Sequence, residues 1–316
     1  MKTVATFLLL FSFPILFSQE ILSKEFCFKT DNDLYVSPSK DRYYTNGMFL
    51  TFRYLSKNTM NRLEKTIFEW EVGHKIYSPF KATVSDISMH DRSFAAYLYG
   101  SFGKQRVYKK NKILSLKLQL GIIGPAAFGE ELQGFIHTFF NFKKAVGWKH
   151  QIKSAAGINL NASYSQLLIK GATNHFDLTW TNHAKAGTVL TNFSTGFYTR
   201  IGFLPLQGMM NSIAFNTSIN NNKTQYKREK EAFFYAKTAV LYTVYDATLQ
   251  GSFLNKGSEV TNKIIRHHVG LELGISAAFH RFNLGYAYLY TGRKSEGLRF
   301  KNGNYYGSIQ LSYLFN

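Results

Sequence analysis

Hydrophobic and polar residues alternate along much of the chain with a period of two. Leu114, Leu116, Leu118 and Leu120 are interleaved with Ser115, Lys117 and Gln119, and Val269, Leu271, Leu273 and Ile275 with His268, Gly270, Glu272 and Gly274. Phe282, Leu284, Tyr286, Tyr288 and Tyr290 keep the same spacing. So do Phe176, Leu178 and Trp180 around Asp177 and Thr179, and Ile309, Leu311, Tyr313 and Phe315 around Ser308, Gln310 and Ser312. Successive side chains of a strand point to opposite faces, so each segment predicts a strand with one apolar and one wet face. Beyond Gln19 no apolar run reaches the roughly 18 residues that a spanning helix needs.

A soluble sandwich also alternates, but it rarely carries so many Tyr and Phe on the non-polar faces. A transmembrane barrel requires this pattern, because lipid covers the outside, water fills the lumen, and closure pairs every backbone group. The terminal Tyr313-Leu314-Phe315-Asn316 places an aromatic almost at the end of the last strand. Tyr43, Tyr44, Tyr97, Tyr99, Tyr290, Tyr305 and Tyr306 stand near strand ends, where interfacial girdles are expected. With no linker, low-complexity tract or internal repeat, and polar loops such as 219–231, the prediction is an all-β transmembrane antiparallel β-barrel in one domain over 19–316.

Composition narrows this further. Aromatics make up 16% of the chain, too many for a disordered one, while the mean hydropathy of -0.18 is too low for a polytopic helical membrane protein. The single Cys27 excludes an intramolecular disulfide framework and a cysteine-based zinc module. Lys and Arg number 38 against 19 Asp and Glu, a formal charge of +19 that attracts nucleic acid or a phosphorylated lipid surface. The N-terminus decides between them. Met1-Lys2, the apolar run from Val4 to Phe17 and the small Ser18 read as a signal peptide over 1–18, so the mature protein is exported and nucleic acid is not its expected partner. Cys27 follows Lys24 and Glu25 well past the cut and is no lipoprotein cysteine.

Two segments break the alternation. After Gly124-Pro125 the pattern turns helical, with Glu130 and Glu131 in a first turn that favours negative charge. On that helix Glu130, Gln133 and His137 are spaced i, i+3, i+7 and share a face. A carboxylate, an amide and an imidazole there could handle protons; equally, the helix could be a lumen plug whose polar side sits in water. The second break, Thr30-Asp31-Asn32-Asp33-Leu34, offers hard oxygens suited to calcium but lacks EF-hand spacing, and Asx-rich segments also make turns.

Taken with further short blocks in order, these breaks resemble the outer-membrane lipid A deacylase family, the calcium-dependent 3′-O-deacylases of lipopolysaccharide. The blocks are Asn32-Asp33, Asp41-Arg42 with Tyr44-Thr45 and Gly47, Ile76-Tyr77-Ser78-Pro79, Asp91-Arg92-Ser93-Phe94 and Gly124-Pro125. Glu131 with Gln133 and His137, Trp148 with Gln151, and Tyr245-Asp246 before Leu249-Gln250-Gly251 complete them. They span nearly the whole mature chain. The resemblance implies a barrel of about twelve strands in the outer membrane, with a site between the wall and a loop helix near the outer leaflet. It also implies His137 as general base, Gln133 beside it, and Asn32, Asp33 and Thr45 completing the site. Asp33, with Asn32, is implied to hold calcium.

Two departures from the family pattern stand out. The family's lysine after the Tyr-Ser-Pro segment is matched only by Lys81, closer to Pro79 than the pattern has it. The acidic residue expected after the histidine is absent, Lys143 and Lys144 occupying that stretch. The expected partners are lipid A or lipopolysaccharide and outer-membrane lipids, and the expected state is a monomer.

The chemistry is coherent without a serine nucleophile, since no Gly-x-Ser-x-Gly elbow occurs. A near-neutral imidazole can activate water, and a divalent cation can polarise the acyl carbonyl. His74, His90, His150, His175, His183, His267, His268 and His280 show no metal-ligand spacing. The basic excess offers phosphate contacts at the outer rim as well as plain solvated charge. The competing expectations are a non-enzymatic pore or adhesin with a helical plug, and an acyl hydrolase of ordinary phospholipid.

Overall fold

The computed structural model describes residues 21–36, 42–57, 60–224 and 229–316; the expected signal peptide and Asp41 lie outside them. Twelve antiparallel strands form one closed barrel, each paired with its chain neighbours and the first with the last. They are β1 Lys24–Asn32, β2 Tyr43–Leu55, β3 Leu63–Ser78, β4 Ala95–Tyr108, β5 Lys112–Ile123 and β6 Ala155–Lys170, then β7 Phe176–Gly187, β8 Leu190–Gly202, β9 Glu231–Asp246, β10 His267–Phe279, β11 Phe282–Thr291 and β12 Asn304–Phe315. Among the described residues the longest helix is α1, Gly129–Phe139, and no helix is long and apolar enough to cross a membrane.

Strand parity sorts the alternation. On β3, β4 and β5 the outward row carries Trp70, Val72, Phe102, Leu116, Leu118 and Leu120, all exposed as a lipid-facing surface requires. The opposite row, with Glu69, Glu71, Tyr99, Lys117 and Gln119, lines a lumen cavity of about 800 Å³. Several tyrosines expected in the girdles belong to this inner row. The Tyr44 hydroxyl donates to Asp31 and that of Tyr99 to Glu71, Tyr306 lines the same cavity, and Tyr97 accepts from Asn159. Tyr43 likewise turns its hydroxyl to Asp91. A phenol that finds a carboxylate or amide inside is better satisfied there than at the lipid boundary.

The two rims differ. One carries the connections 33–42, 79–94, 124–154, 247–266 and 292–303. The other carries both ends of the described chain and short turns, with one exception: the long connection after β8. There Leu206, Met209, Phe215 and Ile219 pack with Ile67, Val107, Ile113, Tyr198, Phe233 and Tyr235 across the barrel mouth. Lys65 Nζ donates to Asn211 Oδ1 and to the Thr217 carbonyl, each at 2.8 Å. Arg200, fully buried, is shared by Asp177, Glu231 at 3.1 Å and Ser212 Oγ at 2.6 Å. The part of the expected polar loop 219–231 that is described therefore includes buried anchors of a plug, Ile219 and Asn220 among them.

Candidate active site on the outer barrel wall

Asn32 closes β1 as a cap. Its Oδ1 accepts the Leu34 backbone N–H at 2.8 Å, opening a short 3-10 turn over Asp33–Tyr35. Its Nδ2 donates to Asn46 Oδ1, 2.7 Å away, directly across the β1–β2 ladder. Asp33 is buried, and its Oδ2 accepts the Arg42 backbone N–H at 2.9 Å, drawing together the two sides of the connection. Thr45 is the extra residue of a β-bulge: Tyr44 pairs with Tyr77 and Asn46 with Ile76, so Thr45 has no opposite number on β3. Bulges re-aim side chains. Thr45 is fully buried, and its Oγ1 has no hydrogen-bond partner among the described residues.

The second half of the site is α1. Gly124, at φ 82, and Phe128, at φ 56, turn the chain out of β5 into this helix. Its buried row is Gly129, Gln133 and His137, every fourth residue. Gly129 is what lets the helix touch the wall, since a Cβ there would lie 2.4 Å from Ala96 Cβ and 2.6 Å from the Trp148 ring. Glu130, expected on the same face as Gln133 and His137, is exposed beside Glu131 instead. Gly129 takes the wall contact in that first turn, and the carboxylates remain in solvent at the positive end of the helix dipole.

Gln133 is fully buried, and its Oε1 accepts the indole N–H of Trp148 at 2.7 Å. That bond fixes the amide, leaving Nε2 as a buried donor without a partner among the described residues. His137 Nδ1 lies 2.6 Å from the Lys143 carbonyl oxygen, and Phe142 N–H donates back to the His137 carbonyl at 2.7 Å. A carbonyl can only accept, so Nδ1 carries the hydrogen and Nε2 the lone pair of the neutral ring. The stretch where the family pattern has an acidic residue after His137 holds Lys143 and Lys144, and it is the main chain of Lys143 that meets the imidazole.

One set of contacts joins the two halves. Asn46 faces Ile76 on β3, and Ile76 faces Ala96 on β4. Ile76 and Ala96 form a buried cluster with Phe94, Ala127 and Trp148, against which Leu98, Ile122 and Leu132 pack. Ile76, Ala96 and Leu98 belong to the outward row, so α1 lies against the lipid side of the wall. None of Asn32, Asp33, Thr45, Gln133 and His137 lines the lumen cavity. The expectation of a helix plugging the lumen is thus corrected: the plug is at the other rim and comes from the β8–β9 connection. Lys81 is exposed in the loop after β3.

Asn46 and the orienting role of Trp148 escaped the sequence reading. Asn46 sits inside a matched block, which was its signal; the Lys143 carbonyl, being main chain, had none. Around the same rim Asp91 accepts four hydrogen bonds that tie its own connection to β2, 247–266 and 292–303: Oδ1 accepts Phe80 N–H and Oδ2 accepts Tyr43 OH and Arg299 N–H, each at 2.8 Å, while its carbonyl accepts Asn262 Nδ2 at 2.7 Å. Arg92 Nη2 donates to the Thr248 carbonyl at 2.9 Å, and burial draws its pKa below the usual arginine value against the pull of Asp246.

Among the described residues no three His, Cys, Asp or Glu side chains cluster in a way that could hold a metal ion. A cation at Asp33 would take one carboxylate and complete its shell from amide, hydroxyl, main-chain and water oxygens. Asn32 Oδ1 and the unpartnered Thr45 Oγ1 are of that kind, and such a donor set fits a hard, oxygen-loving ion.

In solved structures, LpxR from Salmonella typhimurium superposes with a TM-score of 0.73 at 19% identity, over 92% of this chain and 100% of that one. The β domain of the Bordetella autotransporter BrkA matches at 0.48 and 10% identity, covering 94% of this chain and 99% of its own. No curated protein matches the chain. The family profile described as outer membrane protein LpxR matches residues 4–315, and the chain therefore belongs to the LpxR family of outer membrane proteins.

Proposed function

We propose that the protein is an outer-membrane hydrolase that removes the ester-linked 3′ acyl chain of lipid A. The observation that carries this reading is that Gln133 and His137 lie on the buried row of α1, the helix that packs on the lipid-facing side of β3 and β4, the same wall whose Ile76 pairs with Asn46, the ladder partner of Asn32. A pore needs its chemistry in the lumen, whereas a lipid hydrolase needs it where an acyl chain can arrive sideways from the leaflet. The rim bearing α1 has the long connections characteristic of the extracellular side, which puts the site toward the leaflet that holds lipopolysaccharide. The family resemblance of the sequence supplies the substrate.

In this reading His137 Nε2 takes a proton from a water molecule, whose oxygen attacks the acyl carbonyl carbon. Negative charge passes to the carbonyl oxygen, and Gln133 Nε2–H and Thr45 Oγ1–H are buried donors suited to receive it. Collapse breaks the bond to the sugar oxygen, which leaves with the proton returned by the imidazolium. Fatty acid and a deacylated glycolipid are the products. Calcium at Asp33, when bound, would add positive charge to polarise the carbonyl.

The test is mass spectrometry of lipid A from cells with and without the protein. Loss of one acyl mass, dependent on His137, is expected. An unchanged lipid A profile with release of fatty acid from phospholipid would move the substrate assignment, and an unchanged profile of both would overturn the enzymatic reading.

A further inference from the structure

The face of α1 turned away from the wall is aromatic. Phe128, Phe135 and Phe139 recur along one stripe, and Phe140 and Phe142 extend it past the helix end. Phe135 is 68% and Phe139 73% exposed, far beyond what a water-facing loop helix would carry by chance. The rings are ordered against one another: Phe135 stacks on Phe139, Phe139 meets Phe140 edge-on, and Phe140 stacks on Phe142. The buried side of the helix is already occupied by the wall, and among the ring contacts of the described residues the stripe reaches beyond its own phenylalanines only where Phe142 meets the His137 ring edge-on.

Its position argues for what covers it. The helix packs on Ile76, Ala96, Leu98 and Ile122, on strands whose outward row carries, farther along, the exposed Trp70, Val72, Phe102 and Leu120. The phenylalanines thus extend the lipid-facing belt laterally, and the one polar side chain between Ile76 and Val72 on the outward row of β3, His74, is turned to the Ala127 carbonyl, 2.6 Å from its Nε2. Lys143 and Lys144 follow immediately, an arrangement in which rings sit among acyl chains and ammonium groups reach the phosphate level.

We infer that the aromatic stripe of α1 is immersed in the acyl layer of the outer leaflet, making this loop helix a membrane-seated element whose occupant is lipid. The barrel and the loop helix suffice for this placement, so it stands apart from the hydrolase reading. If that reading holds as well, the stripe is the surface along which an acyl chain approaches Gln133 and His137.

The experiment reads immersion directly. An environment-sensitive fluorophore is attached to the thiol introduced by Phe139→Cys in a chain that also carries Cys27→Ser, and the folded protein is inserted into dioleoylphosphatidylcholine vesicles containing doxyl-labelled lipid. A Lys256→Cys label on another loop of the same rim is the control. Expected are a blue-shifted emission and strong quenching by doxyl lipid at position 139, with aqueous iodide quenching only the label at position 256. Equal iodide quenching at both positions, with no doxyl effect at 139, would overturn the inference. So would a blue shift that appears only at high protein density without doxyl quenching, which would mark a second copy of the chain as the occupant. Because the readout needs no turnover, a His137→Ala background should give the same quenching, and failure of the hydrolase reading would leave it unchanged. A Phe135→Ser/Phe139→Ser variant of normal heat-modifiability should further lose at least about tenfold in deacylation of membrane-embedded lipid A if both readings hold.

Discussion

The indole N–H of Trp148 points at the amide oxygen of Gln133, 2.7 Å away in a fully buried setting, and thereby leaves Nε2 as the end of that amide without a partner among the described residues. Replacing Trp148 by Phe keeps the ring against Phe94 but removes the donor. A lost hydrogen bond of about 0.5–1.5 kcal/mol corresponds to roughly two- to tenfold in rate. Trp148→Phe should lower kcat by that factor with KM nearly unchanged and the fold intact, whereas Gln133→Ala should cost more; equal kcat in Trp148→Phe and wild type would show that the amide orientation does not matter.

His137→Ala should fold normally, because the imidazole belongs to a loop helix and not to the strand ladder. A positioned general base contributes about 10²–10⁴-fold. Deacylation should fall by at least about a hundredfold, measured by mass spectrometry on protein matched for heat-modifiability, and added calcium should not restore it. Turnover at the wild-type rate would remove His137 from the mechanism.

Chelation should abolish turnover and calcium should restore it in the wild type. Asp33→Ala should lose that rescue at ordinary calcium and regain only part of it at high concentration. An unchanged calcium requirement with full activity in Asp33→Ala would reassign the ion. Direct calcium binding by calorimetry on the folded variant separates a lost ligand from a lost catalyst.

Arg200 gives a prediction about stability that is independent of activity. It is buried between Asp177 and Glu231, and removing one member of such a group leaves charges without compensation, at about 3–5 kcal/mol. Arg200→Met should lower the unfolding midpoint in urea, followed by the gel shift of the barrel, and should loosen the plug. A midpoint within error of wild type would mean that the Met209, Phe215 and Ile219 packing alone holds that mouth closed.

The same plug predicts electrical silence. With the inner mouth filled by the β8–β9 connection, planar bilayers containing the folded protein should show no steady conductance, and deletion of 206–219 should create it. Steady channels from the intact protein would revive the pore.

The strands were readable from the sequence because a barrel wall makes every second residue meet a different solvent, and that difference is printed directly as alternation at Leu114–Leu120 or Val269–Ile275. The candidate site residues came from the family resemblance, whose blocks overlap the two breaks in alternation. Alternation does not say where an individual phenol finds its partner, and only the closed barrel turned Tyr44 and Tyr99 inward to Asp31 and Glu71. The plug was equally hidden: Lys65 and Asn211 lie 146 positions apart, and a contact of that separation leaves no local trace. The helix could be recognised by its period, but its side of the wall could not. That was decided by Gly129 fitting against Ala96, and by Trp148 and Ile76 filling the space behind Gln133, which is a matter of packing shape in three dimensions.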